Sequence, residues 1–166
     1  KSRLISAITI VCIAAMAGCS DKTPEVSEPT SALQTTAVNT VEKKVVYQAF
    51  TRLYGNKIQT NKPWGSKIEN GVGKFSDFTD IALADIKALG ATHLWLTGIP
   101  HHALIGDYTA YGISNDDPDV VKGRAGSPYA VKDYYNVNPD LADNPAQRLE
   151  EFKQLVHRIH AQGLKV

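Results

Sequence analysis

From residue 45 onward, short apolar runs alternate with longer stretches whose apolar positions repeat at helical spacing. Residues 45–50 (VVYQAF) and 92–97 (THLWLT) are rich in β-branched and aromatic residues, which predicts two strands. The run at 92–97 is nearly continuous, as expected of a strand covered on both faces.

Residues 76–89 repeat their apolar positions at helical spacing and predict a helix between the two strands. The face that this spacing defines consists of Phe78, Ala82, Ile86 and Leu89. Ser76 or Asp77 is suited to the N-cap, and Gly90 to the stop.

A second helix is predicted after Asn144, which suits the N-cap. Pro145 suits the first helical position, and Gln147 completes a capping box. The apolar face of this helix consists of Leu149, Phe152, Val156 and Ile159, with Leu155 beside it. Gly163 ends the helix, and residues 164–166 (LKV) predict the start of another strand.

The remaining segments predict long irregular loops: residues 55–73 are rich in Gly, Asn and Lys, and residues 98–143 are rich in Gly, Asp, Asn, Pro and Tyr. Strands that alternate with helices predict an α/β fold with parallel strands and right-handed crossovers. A parallel sheet needs cover on both faces, which two such units cannot supply. We therefore expect the chain to be truncated at its C-terminus.

The first 44 residues have a different character. Lys1 and Arg3 precede an apolar stretch that is too short to span a bilayer and ends in small residues before Cys19, so residues 1–19 predict an export signal. Residues 20–44 are rich in Ser, Thr, Pro and Glu and predict a disordered tether.

The end of this signal, Met16-Ala17-Gly18-Cys19, resembles a bacterial lipobox. The resemblance implies lipidation of Cys19 and an anchor in the membrane of the bacterial cell envelope, on its periplasmic or outer face. An ordinary secretory signal with a chance cysteine is the alternative.

Composition removes several other classes of function. Both cysteines, Cys12 and Cys19, belong to the signal, so residues 45–166 contain no thiol for a disulfide or a metal. Without Lys1 and Arg3 the formal charge changes from +1 to −1, and no nucleic-acid partner is expected.

Three segments, taken in order, carry a family resemblance. They are residues 70–99 (NGVGKFSDFTDIALADIKALGATHLWLTGI), 127–142 (SPYAVKDYYNVNPDLA) and 148–166 (RLEEFKQLVHRIHAQGLKV). Together they are similar to the alpha-amylase family, glycoside hydrolase family 13, whose catalytic domain is a (β/α)₈ TIM barrel. Residues 45–166 would then be the N-terminal part of that barrel, about two βα units plus the start of the third strand.

The resemblance implies an enzyme that acts on α-glucans, starch or maltooligosaccharides, by retaining double displacement. A retaining glycosidase needs two neighbouring carboxyl groups. In this family they lie on the fourth and fifth strands, so no catalytic residue is assigned in the chain and the chain alone is expected to be inactive. Calcium is expected for the full-length enzyme, without an assignable ligand here, and glycosyl transfer instead of hydrolysis stays open.

One substrate-binding residue follows from the resemblance. Tyr129 matches the family tyrosine that stacks under the sugar whose bond is cleaved, a role that suits an aromatic face. Asp133 matches the aspartate of the same segment and is expected to anchor its loop through backbone hydrogen bonds. Ser127-Pro128 stands where many relatives have His-Gly, and Tyr129 as one more loop tyrosine is the alternative.

No metal site is predicted. Residues 115–119 (NDDPD) lack the spacing and the glycine of an EF-hand and predict a solvated turn. Adjacent His101 and His102, and His157 with His160, lack the further ligand that zinc needs.

Two non-catalytic functions stay open beside the enzyme. The chain could belong to a glucan-binding lipoprotein that keeps the barrel without the carboxylates. It could also belong to a surface lipoprotein that binds a partner protein through the same α/β scaffold.

Overall fold

A computed structural model describes residues 42–166 of the chain. The predicted signal with Cys19, and residues 20–41 of the predicted tether, lie outside the described residues. The strands are β1 (Val46–Phe50), β2 (His93–Thr97), β3 (Pro100–His102) and β4 (Val131–Val137). The α-helices are α1 (Lys67–Asn70), α2 (Asp80–Ala88) and α3 (Arg148–Ala161). Short 3₁₀ turns cover Phe75–Asp77, Thr109–Tyr111, Pro139–Leu141 and Pro145–Gln147.

Strands β1 and β2 pair in parallel, from Val46 opposite His93 to Phe50 opposite Thr97. The end of the chain lies along the other edge of β2, where Lys165 forms an isolated parallel bridge with His93. The Leu94 N–H donates to the Lys165 carbonyl at 2.7 Å. The predicted parallel pairing of the first two strands is thus confirmed.

One apolar core joins the parallel strands to α2 and α3. Its buried side chains include Leu83, Ile86, Leu94, Leu96, Leu155 and Ile159. The opposite face of the same sheet has no cover among residues 42–166, where Trp95 is 58% exposed and Val46 and Phe50 are also exposed. Within residues 42–166 β2 is therefore covered on one face only, in line with the expectation that two such units cannot cover both faces of the sheet.

The predicted irregular loop at 98–143 contains a second sheet. Strands β3 and β4 pair antiparallel, with His101 opposite Asp133 and His102 opposite Val131. The register shifts on both sides of His101, and such bulges break the alternation by which a strand is recognised in sequence. Sequence reasoning missed this sheet for that reason.

The two long helices are confirmed, but their starts differ from the prediction. Thr79 caps α2, its Oγ1 accepting the Ala82 N–H at 3.2 Å, whereas Asp77 accepts the Lys74 N–H at 2.7 Å in the preceding 3₁₀ turn. The buried residues of α2 are Leu83 and Ile86, whereas Leu89, predicted on the apolar face, lies at the C-cap and is exposed.

At α3 the predicted capping box is absent. Asn144 caps the 3₁₀ turn instead, its Oδ1 accepting the Ala146 N–H at 3.0 Å. The second half of the cap comes from Glu151, whose two carboxylate oxygens accept hydrogen bonds from the backbone N–H groups of Asp143 and Asn144, each at 2.7 Å. Because the 3₁₀ turn delays the helix, Glu151 takes the place expected for Gln147.

The described residues therefore form a mixed α/β fold, and no barrel is shown by them. Within residues 42–166, every helix is too short or too polar to cross a bilayer.

Candidate functional site

Long connections follow the carboxyl ends of the parallel strands, and short connections lead back to their amino ends. Residues 51–79 follow β1 and residues 98–147 follow β2, so both begin at the carboxyl ends of the strands. The returns are tight turns at Gly90 and Gly163, with φ of +86° and +69°, where glycine is the favoured residue. In parallel α/β folds ligands bind at the carboxyl edge, so the candidate site lies here.

A buried carboxylate joins the two long connections. Asp140, which is 3% exposed, accepts hydrogen bonds from Arg52 Nη1 and Lys67 Nζ, each at 2.7 Å, and from the Tyr108 hydroxyl. Arg52 and Lys67 follow β1, whereas Tyr108 and Asp140 follow β2. We name these four residues the Asp140 cluster.

The charges of this cluster are paired within it, with two cations around one carboxylate. Burial would raise the pKa of Asp140, but the hydrogen bond and charge of Arg52, with the bonds from Lys67 and Tyr108, lower it overall. Burial, followed by the charge of Asp140, raises the pKa of the Tyr108 hydroxyl, which keeps its proton and donates it. A carboxylate so fully hydrogen-bonded suits a structural role rather than attack on a substrate.

Lys74 adds a second tie between the connections. Its Nζ donates to the carbonyls of Asp140 and Ala142 at 2.7 and 2.8 Å. Burial lowers the pKa of Lys74, against the opposing effect of Asp140 and Asp143. Residues far apart in sequence thus hold the two connections against each other.

Beside the Asp140 cluster lies a polar cleft of about 440 Å³, which we name the Trp64 cleft. Its lining includes Asn61, Trp64, Asp107 and Arg124, together with Arg52 and Lys67 of the cluster. Sequence reasoning did not single out any of these residues. They lie in two separate loops, and no local pattern connects them.

The structure places Tyr129 outside this cleft, on the turn before β4. The turn is closed by the Ala130 N–H donating to the Ser127 carbonyl at 3.0 Å, and Tyr129 is 81% exposed. Its assignment as a sugar-stacking residue stays a prediction.

Asp133 lies on β4 and lines a pocket of about 260 Å³ with His101, Lys132 and Asn136. Its Oδ1 accepts the Tyr135 N–H at 2.9 Å. This bond lies within β4 itself, and the expected loop-anchoring role of Asp133 stays a prediction. The structure does not bring Tyr129 into this pocket.

The same pocket is electrostatically organised. His101 is buried, and its Nε2 has no hydrogen-bond partner among the described residues. Burial, with the charge of Lys132, lowers the pKa of His101, so its ring is neutral at pH 7. Lys132 Nζ contacts Asp116 Oδ1 at 2.6 Å, and Asp116 Oδ2 accepts the Leu104 N–H at 3.0 Å. Asp116, predicted in a solvated turn, is thus held against β3 and β4.

A third concavity is mainly apolar and is lined by parts of β1, β2, β4 and α3 and by Val166. Its volume is about 610 Å³, and its lining includes Trp95, Tyr134, Tyr135, Leu149 and Phe152. His93 and Asn136 also line it, but no Asp or Glu side chain of residues 42–166 does.

Metal ligands are not grouped in the part of the chain that the structure describes: no cluster of three or more His, Cys, Asp or Glu side chains is suitably arranged there. Calcium in the full-length enzyme stays a prediction.

Comparisons with protein-family models, with curated proteins and with solved structures found no match to this chain.

Proposed function

We propose that the chain is the N-terminal part of the catalytic (β/α)₈ barrel of an α-glucan-active enzyme of the alpha-amylase family. One observation carries the proposal: both long connections leave the carboxyl ends of parallel strands, whereas the returns at Gly90 and Gly163 are tight. Barrel enzymes place their substrate sites on such loops. The three segments that resemble the family fall on this same framework.

The uncovered face of the sheet also supports a barrel. Trp95, Val46 and Phe50 are exposed on it, although apolar side chains of this size are favoured inside a protein. In a closed barrel this face points inward, and side chains from the other strands fill the interior in layers. The segment at 164–166 already lies beside β2, where the third strand of a barrel belongs.

The proposed reaction is retaining double displacement. One carboxylate attacks the anomeric carbon and displaces the leaving oxygen, which a carboxylic acid protonates. Water, deprotonated by that same group, then attacks the anomeric carbon of the glycosyl enzyme, which releases the sugar and frees the nucleophile. By resemblance both groups come from later strands. In this chain Tyr129 would stack under a sugar ring, and Asp133 would hold its loop. Lipidated Cys19 would anchor the enzyme in the cell envelope.

The test is to purify the complete gene product and incubate it with maltoheptaose. We expect shorter maltooligosaccharides or transfer products, with retained α-configuration at the new anomeric carbon by NMR. A polypeptide of residues 42–166 should give no product. Binding to insoluble starch without turnover would indicate the glucan-binding alternative, whereas neither binding nor turnover would reject an α-glucan function.

A further inference from the structure

Trp64 occupies a turn position that its residue type disfavours. The turn of residues 62–65 is closed by the Gly65 N–H, which donates to the Lys62 carbonyl at 2.9 Å. Pro63 stands at the second position and Trp64 at the third, with φ of +56°. A turn with Pro second and a positive φ third is of type II, whose third position favours Gly or Asn. A tryptophan there costs conformational free energy.

The surrounding residues hold the turn in this strained form. The Asn70 side chain clamps Lys62, its Oδ1 accepting the Lys62 N–H at 2.7 Å and its Nδ2 donating to the Lys62 carbonyl at 2.9 Å. A Cβ on Gly65 would lie 2.5 Å from Asn70 Nδ2, so a larger residue there would displace the Asn70 amide that holds the turn. Ser66 and Glu69 form a capping box that fixes α1, the helix carrying Asn70.

Packing does not account for the strain. The Trp64 side chain is exposed, with 65% of the residue's surface open to solvent, so little apolar area is gained by placing the indole there. A rigid turn that presents a strained, exposed aromatic side chain is a feature typical of binding sites. The indole lines the Trp64 cleft, on the carboxyl edge of the sheet.

The chemistry of the cleft favours an uncharged ligand rich in hydroxyl groups. Three cations (Arg52, Lys67 and Arg124) and two carboxylates (Asp107 and Asp140) line the cleft, which leaves a formal charge of only +1, and Arg52 and Lys67 are both held by Asp140. Polar side chains beside an aromatic face suit a pyranose ring, which has an apolar face and a hydroxyl-bearing rim. A nucleotide or an acidic polymer would instead require a larger excess of positive charge that is free to contact phosphate or carboxylate groups.

We propose that Trp64 is a stacking platform for a glucose ring of an α-glucan chain, so that the Trp64 cleft binds a stretch of the substrate separate from the ring on Tyr129. This proposal rests on the proposed function and adds a binding residue to it. The rigid presentation lowers the ordering cost of the contact, because the turn is already fixed before the sugar arrives.

The test compares Trp64→Gly and Trp64→Phe in the complete gene product, with Ile81→Ala, an exposed apolar residue on α2, as the control. Starch affinity is measured by retardation in native gels that contain soluble starch, and Tm by differential scanning fluorimetry. We expect Trp64→Gly to weaken starch affinity about tenfold. Its Tm should equal or exceed the parent value, because glycine fits the positive φ without strain. Trp64→Phe keeps a ring and should retain affinity within about threefold of the parent.

The outcomes separate this proposal from the one on which it rests. If the parent protein cleaves starch and Trp64→Gly binds it as tightly as the parent, the platform is rejected and the enzyme assignment stands. If Trp64→Gly lowers Tm and Trp64→Phe does not restore affinity, the indole is a packing residue and the platform is likewise rejected. If the parent protein neither binds nor cleaves any α-glucan, both proposals fail.

Discussion

The charged groups of the Asp140 cluster all have partners, whereas the exposed face of the β1–β2 sheet, which we call the open face, has none among residues 42–166. In the cluster, every charge has a partner contributed by one of two loops, and Asp140 is almost fully buried. On the open face, Trp95 and its apolar neighbours have no partner among residues 42–166. One region is finished by contacts within this part of the chain, and the other is not.

The difference follows from the kinds of force involved. A buried charge that lacks a partner is strongly destabilising, so polar contacts are satisfied locally and with defined geometry. An apolar face is less demanding in geometry but needs area from another element to cover it. The loops at the candidate site are therefore held by polar contacts, whereas the sheet that carries them is uncovered on one side within residues 42–166.

The largest effect on stability is expected from a substitution in the Asp140 cluster. Asp140→Ala leaves Arg52 and Lys67 without their shared acceptor, and we expect the free energy of unfolding to fall by about 3 kcal/mol. This is the lower end of the range for buried pairs, because the Lys67 side chain is half exposed and regains water. Urea unfolding of the complete gene product measures the change.

Asp85→Ala is the matched control for that experiment. Asp85 is exposed on α2, and its replacement should change the free energy of unfolding by less than about 0.5 kcal/mol. Equal losses from the two variants would mean that the Asp140 cluster contributes nothing beyond a surface charge.

A smaller effect is expected where the second long connection enters α3. Glu151→Ala removes the acceptor of two backbone N–H groups and should cost about 1 kcal/mol, the usual effect of losing a helix cap. Gln147→Ala should cost much less, because no side-chain hydrogen bond of Gln147 caps the helix. A larger loss of unfolding free energy for Gln147→Ala than for Glu151→Ala in urea unfolding would contradict this and support the capping box that the sequence predicts.

The smallest expected effect is on the pH dependence of the free energy of unfolding. The pKa of Asp140 is lowered from its ordinary value of 3.8, so the folded chain binds this proton less readily than the unfolded chain does. The stabilisation is fully present above about pH 5 and is lost as the pH falls through the folded pKa. The free energy of unfolding between about pH 5 and pH 2 should therefore fall less steeply in Asp140→Asn than in the parent. Parallel slopes would contradict this.

The sequence predicted the elements whose signals are local. Strands β1 and β2 and the helices α2 and α3 stand out through short β-branched runs and helical periodicity. Their exact starts were missed where two capping residues compete, as Asp77 and Thr79 do before α2. The apolar spacing favoured Ser76 or Asp77 as the cap, whereas α2 is capped by Thr79.

The candidate site was largely beyond sequence reasoning. Arg52, Lys67, Tyr108 and Asp140 come from four separate places in two loops, and only the fold brings them together. The β3–β4 sheet was missed because its register shifts around His101. Trp64 was not recognised because its significance lies in a backbone angle that the residue type conceals.

The most direct test of the account is the exposure of Trp95 in the complete gene product. Hydroxyl-radical footprinting with mass spectrometry reports oxidation of Trp95 and Trp64 in the same sample, and both are more than half exposed in residues 42–166. If the open face is the inside of a barrel, Trp95 will be protected while Trp64 is oxidised readily. Equal oxidation of the two tryptophans would contradict the barrel and the function proposed from it.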